Sequence, residues 1–241
     1  TDVAEGGAGD TRPRHCRPAE YWQTVIQTDN QELVADLGIK YGLQLAIQGE
    51  YTSALETLRR SLTAAVNSDL PAKASEASYQ ISEIYRILGA SSESLESLQS
   101  AIYYADVANI PYMRTKHRCA MVHALHWRGR PTEAARVLDE VIELISIVSS
   151  RSQKFRLLLD LAGIYLRLDN TDVALRYLKQ AHEIARTSPD PQIRVDALLD
   201  VAKGYLFTKL PVDAESALAE AERTFTLLPG AGAHADHEHI L

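Results

Sequence analysis

The sequence predicts an all-α solenoid of about five antiparallel helix pairs, because one residue pattern recurs along the chain at a period of forty positions. The first observation is a column of small residues: Ala54, Ser94, Ala134, Ala174 and Ala214. The second is a leucine four positions later in every copy: Leu58, Leu98, Leu138, Leu178 and Leu218. The third is a large residue nine positions before each small one: Leu45, Tyr85, Leu125, Tyr165 and Tyr205. Because solenoid units bury their apolar faces only against their neighbours, a fixed apolar period indicates this architecture.

Within one repeat, residues 71–107 show the pattern helix, turn, helix. Pro71 suits the first turn of a helix, where its missing N–H costs nothing. Two apolar stripes then follow at three- and four-residue steps: Ala74, Ala77, Ile81, Ile84, Tyr85 and Leu88, then Leu95, Leu98, Ala101, Ile102 and Ala105. Gly89 separates the stripes and can adopt the left-handed conformation that ends helices.

The same turn position recurs in every copy and divides the chain into ten helices. Gly49 and Gly129 share the column of Gly89, and Asp169 and Lys209 fill it in the later copies. We predict first helices of the repeats near 31–48, 72–88, 111–128, 151–168 and 191–208. Second helices are predicted near 52–67, 92–107, 132–148, 172–187 and 212–227.

These columns resemble the tetratricopeptide repeat family in a long-repeat form that occurs in bacterial regulatory proteins. Its first-helix signature is a large, an apolar, a small and an aromatic residue. The fourth and fifth copies carry it as Leu158, Leu161, Ala162 and Tyr165, and as Leu198, Val201, Ala202 and Tyr205. The signature tryptophan is missing from every copy, Gly38 takes its place in the first, and Val122 replaces the small residue in the third. The resemblance implies a right-handed superhelix of about five such helix pairs over residues 31–227.

The two ends of the chain fall outside complete repeats. Residues 1–13 are predicted to form a flexible leader, and residues 14–30 to be part of a preceding helix. Residues 228–241 are interpreted as a tail or as the start of a truncated sixth repeat. The chain is then a fragment of a longer protein. On that interpretation, self-association through the truncated end is expected, because Leu218, Phe225 and Leu227 would lose their covering repeat.

Composition narrows the classes of partner. The net charge of −7 argues against nucleic acid, whose binding needs many cations to neutralise phosphates. The sequence has neither an apolar run long enough to span a bilayer nor the regions of a signal peptide. Cys16 and Cys119 are the only cysteines and lack metal-ligand spacing, so they are expected to be free thiols of a cytoplasmic protein.

No sequence motif indicates catalysis. A phosphate-binding glycine loop, a nucleophile elbow and a zinc-protease helix are all missing. Two histidine clusters have spacings that could hold a metal: His234, His237 and His239 in the tail, and His117, His123 and His126 in the third repeat. Incidental histidines are the preferred interpretation of both clusters. We therefore predict that this segment is not an enzyme and that it binds no metal or cofactor.

A basic run over residues 116–130 stands out in the acidic chain. In the family that the sequence resembles, first helices line a concave groove that holds the ligand. This resemblance implies a ligand groove with the following side chains: Arg86, Lys116, His123, His126, Trp127, Arg156, Arg167, Lys203 and Phe207. Two alternatives stay open. The charges could belong to an ordinary solvated surface, and Trp127 could belong to the core. The family's clamp for a C-terminal carboxylate is not supported, because Ile39 and Leu43 occupy its first two positions.

These observations predict a non-catalytic module that binds a protein or peptide and makes no contact with nucleic acid or membrane. The groove composition favours an acidic partner with an apolar anchor. By family analogy the segment is the sensory or coupling part of a larger bacterial signalling or transcription-regulating protein. The alternatives are a stand-alone scaffold or chaperone adaptor, and a peptide-sensing receptor that regulates an attached domain.

Overall fold

The computed structural model describes residues 18–227, and over this range the chain forms eleven α-helices and no strand. A short helix comes first, α1 (Pro18–Val25). The first helices of the five repeats are α2 (Gln31–Ile47), α4 (Pro71–Ile87), α6 (Pro111–Trp127), α8 (Arg151–Arg167) and α10 (Pro191–Phe207). The second helices are α3 (Tyr51–Asn67), α5 (Ser91–Ala108), α7 (Pro131–Ser146), α9 (Thr171–Arg186) and α11 (Pro211–Phe225).

The ten predicted helices are present, and their ends differ from the prediction by at most two residues. The all-α fold predicted from the period is thereby confirmed. The division into leader, solenoid and tail stays a prediction. Cys16 and the tail histidines lie outside the described residues, as do 1–17 and 228–241 as a whole.

Each turn within a repeat ends the first helix in the same way. The residue in the Gly89 column has a positive φ in all five copies, 83°, 73° and 67° at Gly49, Gly89 and Gly129, and 54° and 59° at Asp169 and Lys209. The following N–H then donates to a carbonyl five residues back, as from Ala90 to Tyr85 at 2.9 Å. The other four copies repeat this bond: Glu50 to Leu45, Arg130 to Leu125, Asn170 to Tyr165 and Leu210 to Tyr205. This closure satisfies a free carbonyl at the end of the first helix and sets the direction of the second.

The small-residue column lies where the two helices of a repeat cross. All five of its residues are buried: Ala54, Ser94, Ala134, Ala174 and Ala214. In the first repeat the facing position, Gly42, is so close to α3 that a Cβ there would lie 2.7 Å from Cγ of Leu58. The leucine column is buried in four copies, whereas Leu218 is exposed, as are Phe225 and Leu227. Small residues therefore allow the close helix crossing that the register predicts.

Neighbouring repeats are not joined identically along the array. The backbones of the first helices approach closely at α2–α4, α6–α8 and α8–α10. The backbones of α4 and α6 lie farther apart and are bridged by side chains, with Tyr79 of α4 stacked on His117 of α6. The second and third repeats meet mainly through α5 and α6, which corresponds to the α3–α4 and α9–α10 contacts at other joints. Arg118 of α6 reinforces this joint, because it binds Asp106 of α5 and Glu140 of α7 at 2.8 Å each. The wider spacing of the α4 and α6 backbones leaves room on the inner side of the array, where side chains span the gap.

Ala174→Leu tests the packing at the helix crossing. Ala174 has no exposed surface, so a leucine there must force α8 and α9 apart and should lower the free energy of unfolding by roughly 1–3 kcal/mol. Ala219→Leu is the matched control, because Ala219 is exposed on α11. Chemical denaturation of both variants decides the matter, and equal stability of Ala174→Leu and the parent would contradict the register.

Candidate functional site

A groove of about 740 Å³ opens on the inner side of the array, between α4, α6 and α8. It lies where α4 and α6 separate. Its lining comes from the three first helices, from the start of α5 and from the turn after α6: Tyr79, Glu83, Arg86, Ser91, Ser94, Lys116, Cys119, Ala120, His123, Ala124, Trp127, Arg128, Asp160 and Arg167. First helices therefore supply most of the surface, as in the predicted ligand groove.

Cations outnumber anions in this groove, although the chain as a whole is acidic. Four lysine or arginine side chains line it, against the carboxylates of Glu83 and Asp160. Arg86 is paired with Glu83 at 2.8 Å. Arg128 donates only to the hydroxyl of Ser92 at 3.3 Å, and no carboxylate of residues 18–227 pairs with it. An anionic ligand would meet guanidinium and ammonium groups that are free to bind it.

Trp127 is the last residue of α6 and stands at the edge of the groove with 79% of its surface exposed. The alternative that Trp127 belongs to the core between repeats is therefore wrong. The other tryptophan, Trp22, is 6% exposed and packs in the core near α1, α2 and α3. An exposed tryptophan beside arginines is typical of binding surfaces, because its large apolar area gains most from being covered.

His123 is held neutral between cations. Burial lowers its pKa to about 4, and the charge of Arg167 contributes next to the shift. Arg167 donates to Nδ1 of His123 at 2.7 Å, which a protonated Nδ1 could not accept. His123 therefore positions the Arg167 guanidinium and adds no charge of its own at neutral pH.

The floor of the groove consists of stacked rings. Tyr79 stacks on His117 at 4.7 Å between centroids, and Nζ of Lys116 lies 4.6 Å from the centroid of Tyr79. His117 is buried, and Ser75 Oγ lies 3.2 Å from its Nδ1. Burial lowers the pKa of His117 to about 4, so its ring is a neutral part of the packing. The Cys119 thiol is also buried, which raises its pKa and keeps it unreactive.

Asp160 differs from the other charged groups of the groove. Asp160 is exposed at the groove, yet the surrounding protein removes part of the hydration of its carboxyl group and so raises its pKa. The more distant positive charges of Lys116 and Arg156 lower the pKa of this carboxyl group, but by less than the loss of hydration raises it. No lysine or arginine of the described range lies within 4 Å of this carboxylate.

The structure brings five of the nine predicted groove residues together and places the other four elsewhere. The five are Arg86, Lys116, His123, Trp127 and Arg167. His126 and Arg156 belong to α6 and α8 but lie outside the groove lining. Lys203 pairs with Asp200 at 3.0 Å on α10, and Phe207 is exposed at the end of that helix, one repeat away.

Several lining residues were not among the nine. Four of them lie on first helices, which the resemblance assigns to the groove: Tyr79, Glu83, Cys119 and Asp160. Arg128 follows Trp127 in the basic run, so the sequence contained signals for all five. Ser91 and Ser94 lie on a second helix, which the first-helix pattern cannot point to. In residues 18–227 no three histidine, cysteine or acidic side chains are grouped as metal ligands, so His123 and His126 form no such group. No helix of this range has the length and apolarity needed to cross a membrane.

The comparisons with known proteins agree with this architecture. Residues 112–187 match the model of the Tetratricopeptide repeat family. No curated protein matches the chain significantly. The solved structure of BtubC from P. vanneervenii superposes with a TM-score of 0.62 at 14% identity, over 93% of this chain and 91% of that one.

Two further solved structures share the fold over part of their length. The apo form of the quorum sensor NprR from B. thuringiensis has a TM-score of 0.56 at 11% identity, over 90% of this chain and 60% of its own. A Rap protein complexed with Competence and Sporulation Factor has a TM-score of 0.58 at 14% identity, over 87% of this chain and 60% of its own. The family match over residues 112–187 supports the predicted resemblance to tetratricopeptide repeats, and the solved structures share the fold of this chain.

The buried His117 predicts a pH dependence of stability. Its pKa is about 4 in the folded protein and near 6.5 when exposed, so the unfolded state binds the proton more tightly. Stability is then complete above pH 6.5 and is lost as the pH falls, by roughly 3 kcal/mol at pH 4 from this group alone. His117→Gln should remove that contribution, whatever its effect at pH 7. Urea unfolding of parent and variant between pH 7 and pH 4 measures it, and parallel curves would contradict the prediction.

Proposed function

We propose that this chain is a non-catalytic module that binds a protein or peptide segment in the groove between α4, α6 and α8. The observation that carries the proposal is the exposed Trp127 beside cations without carboxylate partners. A surface of this kind gains free energy when an apolar group covers the indole and carboxylates reach the cations.

The chemistry of the groove favours an acidic peptide with an apolar or aromatic anchor. Arg128 and Arg167 flank the end of α6 and can each bind a carboxylate with two parallel N–H groups. The indole of Trp127 offers a flat apolar face for the anchor. Fully solvated charges mainly speed association, whereas a covered aromatic residue mainly slows dissociation.

A place in a larger bacterial signalling or transcription-regulating protein is the wider context that we propose. NprR is described as a quorum sensor, and the Rap protein was solved in complex with Competence and Sporulation Factor. The chain spans 60% of each of those chains, so it would correspond to part of such a protein. The fold similarity does not carry the proposal by itself, because identity is only 11–14%. We also propose a cytoplasmic location, in keeping with the free, buried thiol of Cys119.

Trp127→Ala tests the groove directly. The probe is the tightest peptide recovered when a phage-displayed library with free N-termini is selected on this chain, resynthesised for calorimetry. Because Trp127 is exposed, the variant should keep the thermal stability of the parent and lose on the order of 2 kcal/mol or more of binding free energy. Trp22→Ala is the control, since that tryptophan is buried and its removal should lower stability.

The outcomes separate cleanly. Failure of the library to yield any binder, or unchanged affinity of Trp127→Ala for the selected peptide, would overturn the proposal.

Lys116→Glu tests the electrostatic part of the proposal. Reversing this charge should slow association of the same peptide severalfold at low salt and by less at high salt, because ions screen the interaction. Lys203→Glu provides the matched control, since Lys203 lies outside the groove and is already paired with Asp200. Stopped-flow kinetics at two salt concentrations gives both rates. Equal slowing by the two variants would show that net charge, and not the groove, governs association.

A further inference from the structure

We infer that Asp160 forms a subsite for an ammonium group, the free N-terminus or a lysine of the bound peptide. The inference rests on the proposed function and refines the ligand to a peptide that carries both an ammonium group and carboxylates. Asp160 is a carboxylate in a groove whose lysine and arginine side chains favour an acidic ligand. A purely acidic ligand would be repelled at this position, so Asp160 distinguishes between ligands.

The pairing of charges within the groove supports this assignment. Glu83, the other acidic side chain of the lining, already binds Arg86 at 2.8 Å. Lys116 is directed over the ring of Tyr79 at 4.6 Å and makes no ion pair with Asp160. Asp160 is therefore the groove carboxylate that is free to accept hydrogen bonds from a ligand.

The surroundings of Asp160 do not compensate its charge. Loss of hydration in the concave wall raises the pKa of this carboxyl group, and the more distant lysine and arginine do not reverse the shift. An ammonium group in direct contact would supply the missing compensation through charge-assisted hydrogen bonds.

The geometry also sets the spacing of charges in the ligand. Asp160 and Arg167 are seven residues apart on α8, which is two helical turns on the same face, or about 10 Å. An extended peptide covers this distance in about three residues. The expected ligand therefore carries an ammonium group about three residues from a carboxylate, with the apolar anchor close to that carboxylate at Trp127.

The first experiment repeats the library selection on Asp160→Asn. Asparagine keeps the shape of the side chain and removes its charge. Asp200→Asn is the matched control, because Asp200 occupies the same repeat position on α10, is paired with Lys203, and lies outside the groove. Parent and control should enrich peptides with an ammonium group about three residues from an acidic one. Asp160→Asn should enrich acidic peptides in which the acidic residue has no preferred distance from an ammonium group.

The second experiment changes the ligand and leaves the protein intact, so it does not depend on the folding of a variant. The peptide selected on the parent is synthesised with a free or acetylated N-terminus, and with any lysine replaced by glutamine. Blocking the group that binds Asp160 should weaken binding to the parent about tenfold and leave binding to Asp160→Asn unchanged. The comparison of the two blocked forms tells the N-terminus from a lysine.

The results test the ammonium subsite separately from the proposed function. Acidic binders without the enriched spacing between ammonium group and carboxylate, or equal losses for parent and Asp160→Asn, would overturn the ammonium subsite and leave the proposed function standing. A library that yields no binder on the parent overturns both.

Discussion

Close contact between the two helices of each repeat is the constraint on which the rest of the structure depends. A small residue such as Ala174 lies at the crossing in every copy, and Gly42 shows how little space remains, since a Cβ there would meet Leu58. The identical turn after each first helix brings the second helix back to this crossing. Five repetitions of one crossing place the first helices side by side, and this arrangement creates an inner surface.

The groove lies at a joint between repeats where the first helices are spaced more widely. Between the second and third repeats, the backbones of α4 and α6 stand apart and meet through side chains such as Tyr79 and His117, while Arg118 holds α5, α6 and α7 together on the outer side. The space left on the inner side is lined by whatever the first helices present there. In this chain those residues include Lys116, Arg167 and Trp127, so a local variation in packing becomes a cationic and aromatic surface.

The sequence predicted the helices well because their signal is local and repeated five times. The family resemblance also assigned the groove to the first helices, and this led to Arg86, His123 and Trp127 among others. The extent of the groove could not be predicted, because it depends on the small rotation between successive repeats. Phe207 is at the position equivalent to Trp127 on the fifth repeat, yet it is outside the groove, since α10 lies beyond α8. The serines of α5 line the groove only because α4 and α6 diverge.

An unpaired charge that has lost part of its hydration, such as Asp160, reduces stability, and a solenoid can tolerate this cost. Each repeat gains its stability from its immediate neighbours, and the largest apolar cluster continues from α5 to α11 beneath the groove. Cations such as Arg128 and an anion such as Asp160 can therefore remain without partners while the third and fourth repeats stay packed. Groups that the protein leaves without partners can gain them on binding, so a ligand with matching charges obtains interaction free energy that does not contribute to folding.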